Sequence, residues 1–173
     1  MYKVLEIEKG WVDTCFTLEN EKTGTKIECM EFDSYKDLKS FHFMKEGGIY
    51  DCLIKIDAEI IEEKEWENDD YYEILELNIR VGWCKFAKLK LNEDIYYMDM
   101  DDLIQINNLE KKKHILLRTV HYHLLKANDS INEAYYISED KKAKLPMLIE
   151  TAKQEGNRVK LEYYTMIKDG LEN

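Results

Sequence analysis

Several patterns that usually indicate a function are missing from this sequence of 173 residues. It has a single proline, and no apolar run approaches the roughly 20 residues that a membrane-spanning helix needs. The N-terminal residues MYKVLEIEKGW carry charges where a signal peptide requires an apolar segment. We therefore expect a cytoplasmic protein with no membrane contact. Its 12 tyrosines and 45% apolar residues favour a folded chain over a disordered one.

The cysteines also lack the spacing of a known site. They stand alone at positions 15, 29, 52 and 84, with no C-x-x-C pair for zinc or for redox chemistry. Disulfide frameworks are typical of small secreted scaffolds, which this chain does not resemble. We expect small, mostly buried thiols.

Catalytic motifs are missing as well. The sequence contains no G-x-S-x-G, no glycine-rich phosphate loop and no DxDxDG calcium spacing. We therefore predict no catalytic residues, no bound metal and no cofactor, and we do not expect an enzyme.

The clearest pattern present is a long strand within Gly47–Ile61. Apolar and polar residues alternate from Cys52 onward, which predicts a strand with one buried and one solvent-exposed side. The predicted buried residues are Cys52, Ile54, Ile56, Ala58 and Ile60. Asp51, Lys55, Asp57 and Glu59 are predicted to lie on the solvent-exposed side.

The order of elements around this strand has a recognisable form. Strands are predicted at Tyr2–Lys9 and Trp11–Glu19, then a turn at Gly24, a strand at Thr25–Phe32, the phrase MKEGGIYDCLIKI, and a strand at Tyr71–Val81. This order resembles an OB-fold barrel. The resemblance implies a five-stranded antiparallel barrel over residues 1–82, and OB-folds often bind oligonucleotides or oligosaccharides on one sheet face. Many barrels of this kind contact only other proteins.

Residues 83–173 are predicted to form a smaller α+β part, so the fold class of the whole chain is α+β. Leu109–Ala127 and residues 146–155 are predicted as its two helices, and Glu133–Ser138 and Arg158–Met166 as strands. The two parts are either separate domains or one packed unit.

Charge is distributed unevenly along the chain, which has a net charge of −11. Asp57–Glu76 holds ten acidic side chains and a single lysine, whereas Lys111–Ala127 holds five basic side chains and no acid. The candidate partner-binding residues are Asp57, Glu59, Glu62, Glu63, Glu65, Trp66, Glu67, Asp69 and Asp70. A basic helix face is predicted at Lys111, His114, Arg118 and His121, and it lies opposite either the chain's own acidic loop or another molecule.

Two metal sites are the alternatives to the expected absence of a bound metal. If residues 114–127 form a strand rather than a helix, His121 and His123 share a face and could bind a metal with one more carboxylate. Asp99, Asp101 and Asp102 could hold magnesium, although acids at the end of a hairpin are more often solvated turn residues.

The function expected from these patterns is a non-catalytic protein-binding module of the immunity, inhibitor or adaptor type. Ten acids in twenty residues suit electrostatic capture of a basic protein, and Trp66 among them is an apolar anchor of the kind that interface hot spots use. The alternative is a single-stranded nucleic-acid-binding OB-fold, which the acidity of the first half opposes because phosphate contacts dominate such binding.

Overall fold

The computed structural model describes residues 1–10, 13–32, 40–132, 135 and 142–172. Strands β1 to β10 are Tyr2–Lys9, Asp13–Asn20, Lys26–Phe32, Ile49–Tyr50, Cys52–Ile60, Asp69–Val81, Cys84–Leu91, Asp94–Asp99, His114–Ala127 and Ser130–Ile131. Helices α1 and α2 are Leu145–Gln154 and Arg158–Glu172. Two single-turn 3-10 helices, Asp101–Leu103 and Leu109–Lys111, lie in the connection between β8 and β9.

Five of these strands close into a barrel. The pairings run β5–β8–β7–β6–β9 and return from β9 to β5. The predicted α+β class and the five-stranded barrel are therefore confirmed. Two details of the prediction were wrong. The β5–β8 pair is parallel, so the barrel is mixed, and its strands come from residues 52–127 rather than from 1–82.

The N-terminal strands extend the same sheet. β1, β2 and β3 form an antiparallel meander, and β3 joins β9 in parallel at Cys29 and Met30. At the other edge β1 pairs with β4, which only Asp51 separates from β5. Strands from both sides of residue 82 thus share one sheet, as expected for a single packed unit. The division into domains at that position stays a prediction.

The register of the central strand, β5, is confirmed. Cys52, Ile54 and Ile56 are buried in the main core, whereas Ala58 and Ile60 are partly buried and pack against it. Glu59 is exposed as predicted. Lys55 is buried instead of facing solvent, because the outer side of β5 is also covered. A second core that includes Leu53, Tyr97 and Leu125 lies there.

The predicted helix at Leu109–Ala127 was wrong. After one 3-10 turn, its residues form β9, which pairs with β3, β5, β6 and β10. Because β9 has partners along both edges and cores on both faces, Ile115, Leu116 and Leu117 are all buried, as are Leu124 and Leu125. A strand buried on both faces has no simple alternation, and its apolar runs can imitate a helical stripe.

The C-terminal prediction was half right. The helix expected at residues 146–155 is confirmed as α1, but Arg158–Met166 is part of α2 and not a strand. Tyr163, Tyr164, Ile167 and Leu171 pack at helical spacing against Trp83 and Leu145. A side-chain carbon added at Gly170 would lie 2.8 Å from the Trp83 ring, so only glycine permits this close packing. Most of the strand expected at Glu133–Ser138 lies outside the described residues.

Candidate functional site

The predicted partner surface is built on residues 61–68, the loop between β5 and β6, which we call the acidic loop. One buried carboxylate holds this loop in place. The side chain of Asp69 is fully buried at the start of β6. It accepts the backbone N–H groups of Glu65 and Trp66, each at 2.8 Å. The two donors belong to the peptide bonds on either side of Glu65, so they fix the backbone of the loop at that residue. Asp69 therefore supports the surface from beneath and is not itself available to a partner.

Arg118 on β9 joins this loop to the barrel. Its Nε donates to Asp69 at 2.8 Å, and its terminal nitrogens lie 3.3 Å from Glu65 and 3.6 Å from Glu59. The guanidinium carbon is 5.3 Å from the centre of the Trp66 ring, within cation–π range. The Arg118 hydrogen bonds, together with the two backbone donors, hold the pKa of Asp69 well below its usual range. One arginine thus offsets three of the acids and supports one face of the indole.

The rest of the loop faces solvent. Trp66 remains 64% exposed despite the contact with Arg118. Glu62, Glu63 and Glu67 are exposed, and none of them forms an ion pair with another described residue. Asp70 is partly buried and lies 3.2 Å from Lys64, whose ammonium is also 5.7 Å from the Tyr71 ring centre. The structure therefore brings an exposed tryptophan and several uncompensated carboxylates together.

Asp57 has a different environment from the loop. One of its carboxylate oxygens accepts Lys55 Nζ, and the other lies 2.7 Å from His123 Nε2. The His123 and Lys55 hydrogen bonds hold the pKa of Asp57 well below its usual range, against the opposing effect of partial burial. Lys55 is only 9% exposed, so Asp57 serves chiefly to neutralise a buried ammonium. The sequence did not predict the cluster of Lys55, Asp57 and His123, because its alternation places Lys55 on the solvent-exposed side of β5.

The stability contributed by Asp57 should depend on pH in a definite direction. A carboxyl whose pKa is lowered by folding stabilises the fold above its unfolded pKa of about 3.9, and this contribution is lost as the pH falls below that value. We expect Asp57→Asn to melt below the wild type at pH 5.5. The difference should shrink steadily as the pH falls below about 4, because the carboxyl of the unfolded chain takes up a proton there while the carboxyl of the folded chain is still ionised. Thermal unfolding followed by circular dichroism tests this, with the exposed Asp129→Asn as the control. A difference between wild type and Asp57→Asn that is constant or larger at pH 3 would contradict it.

The predicted basic face does not exist as a helix face. His114, Arg118 and His121 lie on β9, and Lys111 lies on the preceding 3-10 turn. Arg118 is committed to the acidic loop, whereas Lys111, His114 and His121 are exposed. Arg118 therefore lies opposite the chain's own acidic residues and not opposite another molecule, because β9 pairs with β6 and places Arg118 opposite Asp69.

The histidine pair has the strand geometry considered in the sequence analysis. The His121 and His123 rings are two residues apart on β9, with centroids 6.3 Å apart. Across the described ranges, however, no three His, Cys, Asp or Glu side chains are grouped so as to hold a metal ion. His123 is instead held by Asp57 at 2.7 Å.

These features define an α+β protein with a closed, mixed five-stranded barrel and an acidic, tryptophan-bearing loop. Comparisons with protein-family models, with curated proteins and with solved structures found no match for the chain. Neither helix in the described part of the chain has the length and apolar character to cross a bilayer.

Proposed function

We propose that this chain is a non-catalytic protein-binding module that captures a basic protein partner through the acidic loop. The observation that carries the proposal is Trp66, a large apolar side chain 64% exposed on a loop whose backbone Asp69 holds in place. A rigid, exposed tryptophan loses little conformational freedom on binding and can bury a large area, as interface hot spots do.

The charge of the loop supports a cationic partner. Arg118 offsets Glu59, Glu65 and Asp69, but Glu62, Glu63 and Glu67 have no cation opposite them within the described residues. Neighbouring carboxylates repel one another, and a basic partner would relieve that repulsion on binding. Electrostatic complementarity of this kind mainly raises the association rate and the selectivity for basic partners.

Single-stranded nucleic acid remains the alternative ligand, as the resemblance to an OB-fold suggested. The net charge of −11 opposes it. Among the residues of the predicted basic face, Arg118 is already paired with carboxylates.

Capture from lysate tests the proposal. Wild type and a Glu63→Gln/Glu65→Gln/Glu67→Gln variant, each immobilised, would be incubated with host lysate at low and at moderate salt, and bound proteins identified by mass spectrometry. We expect the wild type to retain a basic protein in a salt-sensitive manner and the triple variant to lose most of it. Asp69 is left intact because it is buried and supports the fold. Trp66→Ala should also reduce retention.

The matched control carries the same change of charge elsewhere. Glu150→Gln/Glu155→Gln/Glu172→Gln alters three exposed acids on or next to α1 and α2, and it should retain the partner as the wild type does. Equal losses in the two triple variants would show a general charge effect rather than a site. Retention of single-stranded DNA in place of a protein would favour the alternative function.

A further inference from the structure

A long open groove runs beside the acidic loop, next to the second half of β5. It consists of two adjoining cavities of about 820 Å³ and about 630 Å³, both lined by Ile60 and Gln105. One wall is the connection between β8 and β9, residues 100–113, which carries both 3-10 turns. Glu62 of the acidic loop lines the second cavity. We call the two cavities together the connector groove.

The two ends of the connector groove differ in charge, and the first end is acidic. Asp99, Asp101 and Asp102 line the first end, where the only lysine, Lys55, is already paired with Asp57. Burial, with the neighbouring carboxylates of Asp101 and Asp102, raises the pKa of Asp99. Crowded acids of this kind favour a cation that binds among them. That end is therefore suited to basic side chains.

The opposite end carries charges of both signs and an aromatic ring. Lys112, His114 and Glu62 line it, and all three are exposed. The Tyr71 ring, which is 59% exposed, lies at the same end. Because Lys112 and Glu62 offset each other, this end does not select a charged group of either sign.

An exposed apolar residue lies next to the acidic end. Ile104 is 84% exposed on the connector wall and lines the first cavity, and the partly buried Ile60 lines both cavities. A ligand side chain that covered both would remove apolar surface from water, at about 25 cal/mol per Å².

We propose that the connector groove binds an extended peptide segment of the partner, in which an apolar residue lies next to basic residues. The basic residues lie against Asp99–Asp102, and the apolar side chain covers Ile104 and Ile60. This inference rests on the proposed function and names the part of the partner that is recognised. A single-stranded nucleic acid has the same charge along its whole length, so the acidic end would repel it.

Selection from a random peptide library tests this. Phage displaying random dodecapeptides would be selected on the wild-type protein, and the enriched peptides resynthesised with a fluorescent label for anisotropy titration. We expect enriched peptides to carry a basic cluster next to a large apolar residue. Their binding should weaken about tenfold or more with Ile104→Glu, and again with Asp101→Lys/Asp102→Lys. Because all three residues are exposed, these variants should melt at the wild-type temperature.

The matched control is Val159→Glu, which makes the same kind of change at a 66% exposed residue on α2 and should leave binding unchanged. Enriched peptides that bind Ile104→Glu as tightly as the wild type would overturn the groove assignment. If those peptides instead lose affinity in Glu63→Gln/Glu65→Gln/Glu67→Gln, the proposed function stands and only the groove fails. Peptides sensitive to neither set, or no enrichment at all, would overturn the inference, while the lysate experiment decides the proposed function separately.

Discussion

Replacing Ile56 by aspartate should prevent the barrel from forming, or lower its unfolding free energy by more than about 4 kcal/mol. Ile56 is fully buried near the middle of β5, paired with Tyr122 of β9, and belongs to the main core. An aspartate there would be an unpaired charge in an apolar environment. Denaturation by urea, followed by circular dichroism, would measure the loss.

Two further variants make this result interpretable if Ile56→Asp fails to fold. Ile56→Val removes one buried methylene group and should cost about 1 kcal/mol without loss of structure. Glu67→Ala on the exposed loop should lie within about 0.5 kcal/mol of wild type. Equal shifts of the melting temperature in Ile56→Asp and Glu67→Ala would mean that the burial of β5 is wrong.

The second large effect is expected at Asp94, which connects the turn after β2 to the β7–β8 hairpin. Its carboxylate accepts Asn20 Nδ2 at 2.6 Å, Thr23 Oγ1 at 2.8 Å and Thr25 Oγ1 at 2.6 Å. Both Asn20 and Asp94 are buried. Asp94→Ala would leave the Asn20 amide without its acceptor, and we expect a loss of about 3 kcal/mol in urea denaturation.

A double-mutant cycle separates this network from a general effect of the substitution. In a Thr25→Val background, Asp94→Ala should cost less than in the wild type, because one of its hydrogen bonds is already absent. Strictly additive losses would show that the carboxylate and the Thr25 hydroxyl do not interact in solution.

The positions of the acidic residues could be read from the sequence, but their roles could not. All nine predicted partner-binding residues lie on the end of β5, on the loop or at the start of β6. Asp69 and Glu63 look alike in the sequence, yet one is fully buried and the other exposed. The difference arises from Arg118, 49 residues further along the chain, and no local pattern shows that pairing.

The adjacent tyrosines at positions 71–72 and 96–97 give a similar comparison. Adjacent aromatic residues in a strand are expected to place one ring in the core and one near the surface. Tyr71 and Tyr72 do so, at 59% and 1% exposure. Tyr96 and Tyr97 are both buried, because β8 lies between two cores and neither of its faces is exposed to solvent.

The structural features that the sequence determined by itself are those that depend on short segments of the chain. It includes the β5 register, the helix α1, the α+β class and the division of the chain into acidic and basic segments. Each depends on spacing within about a dozen residues, where periodicity and turn chemistry act directly. Only the tertiary structure decided that residues 114–127 form a strand and that residues 158–172 form a helix. A strand buried on both faces loses its period of two, and a helix with one covered side can show apolar residues at alternate positions. In both cases the state depends on which surfaces the rest of the chain covers, so the sequence of the segment alone does not decide it.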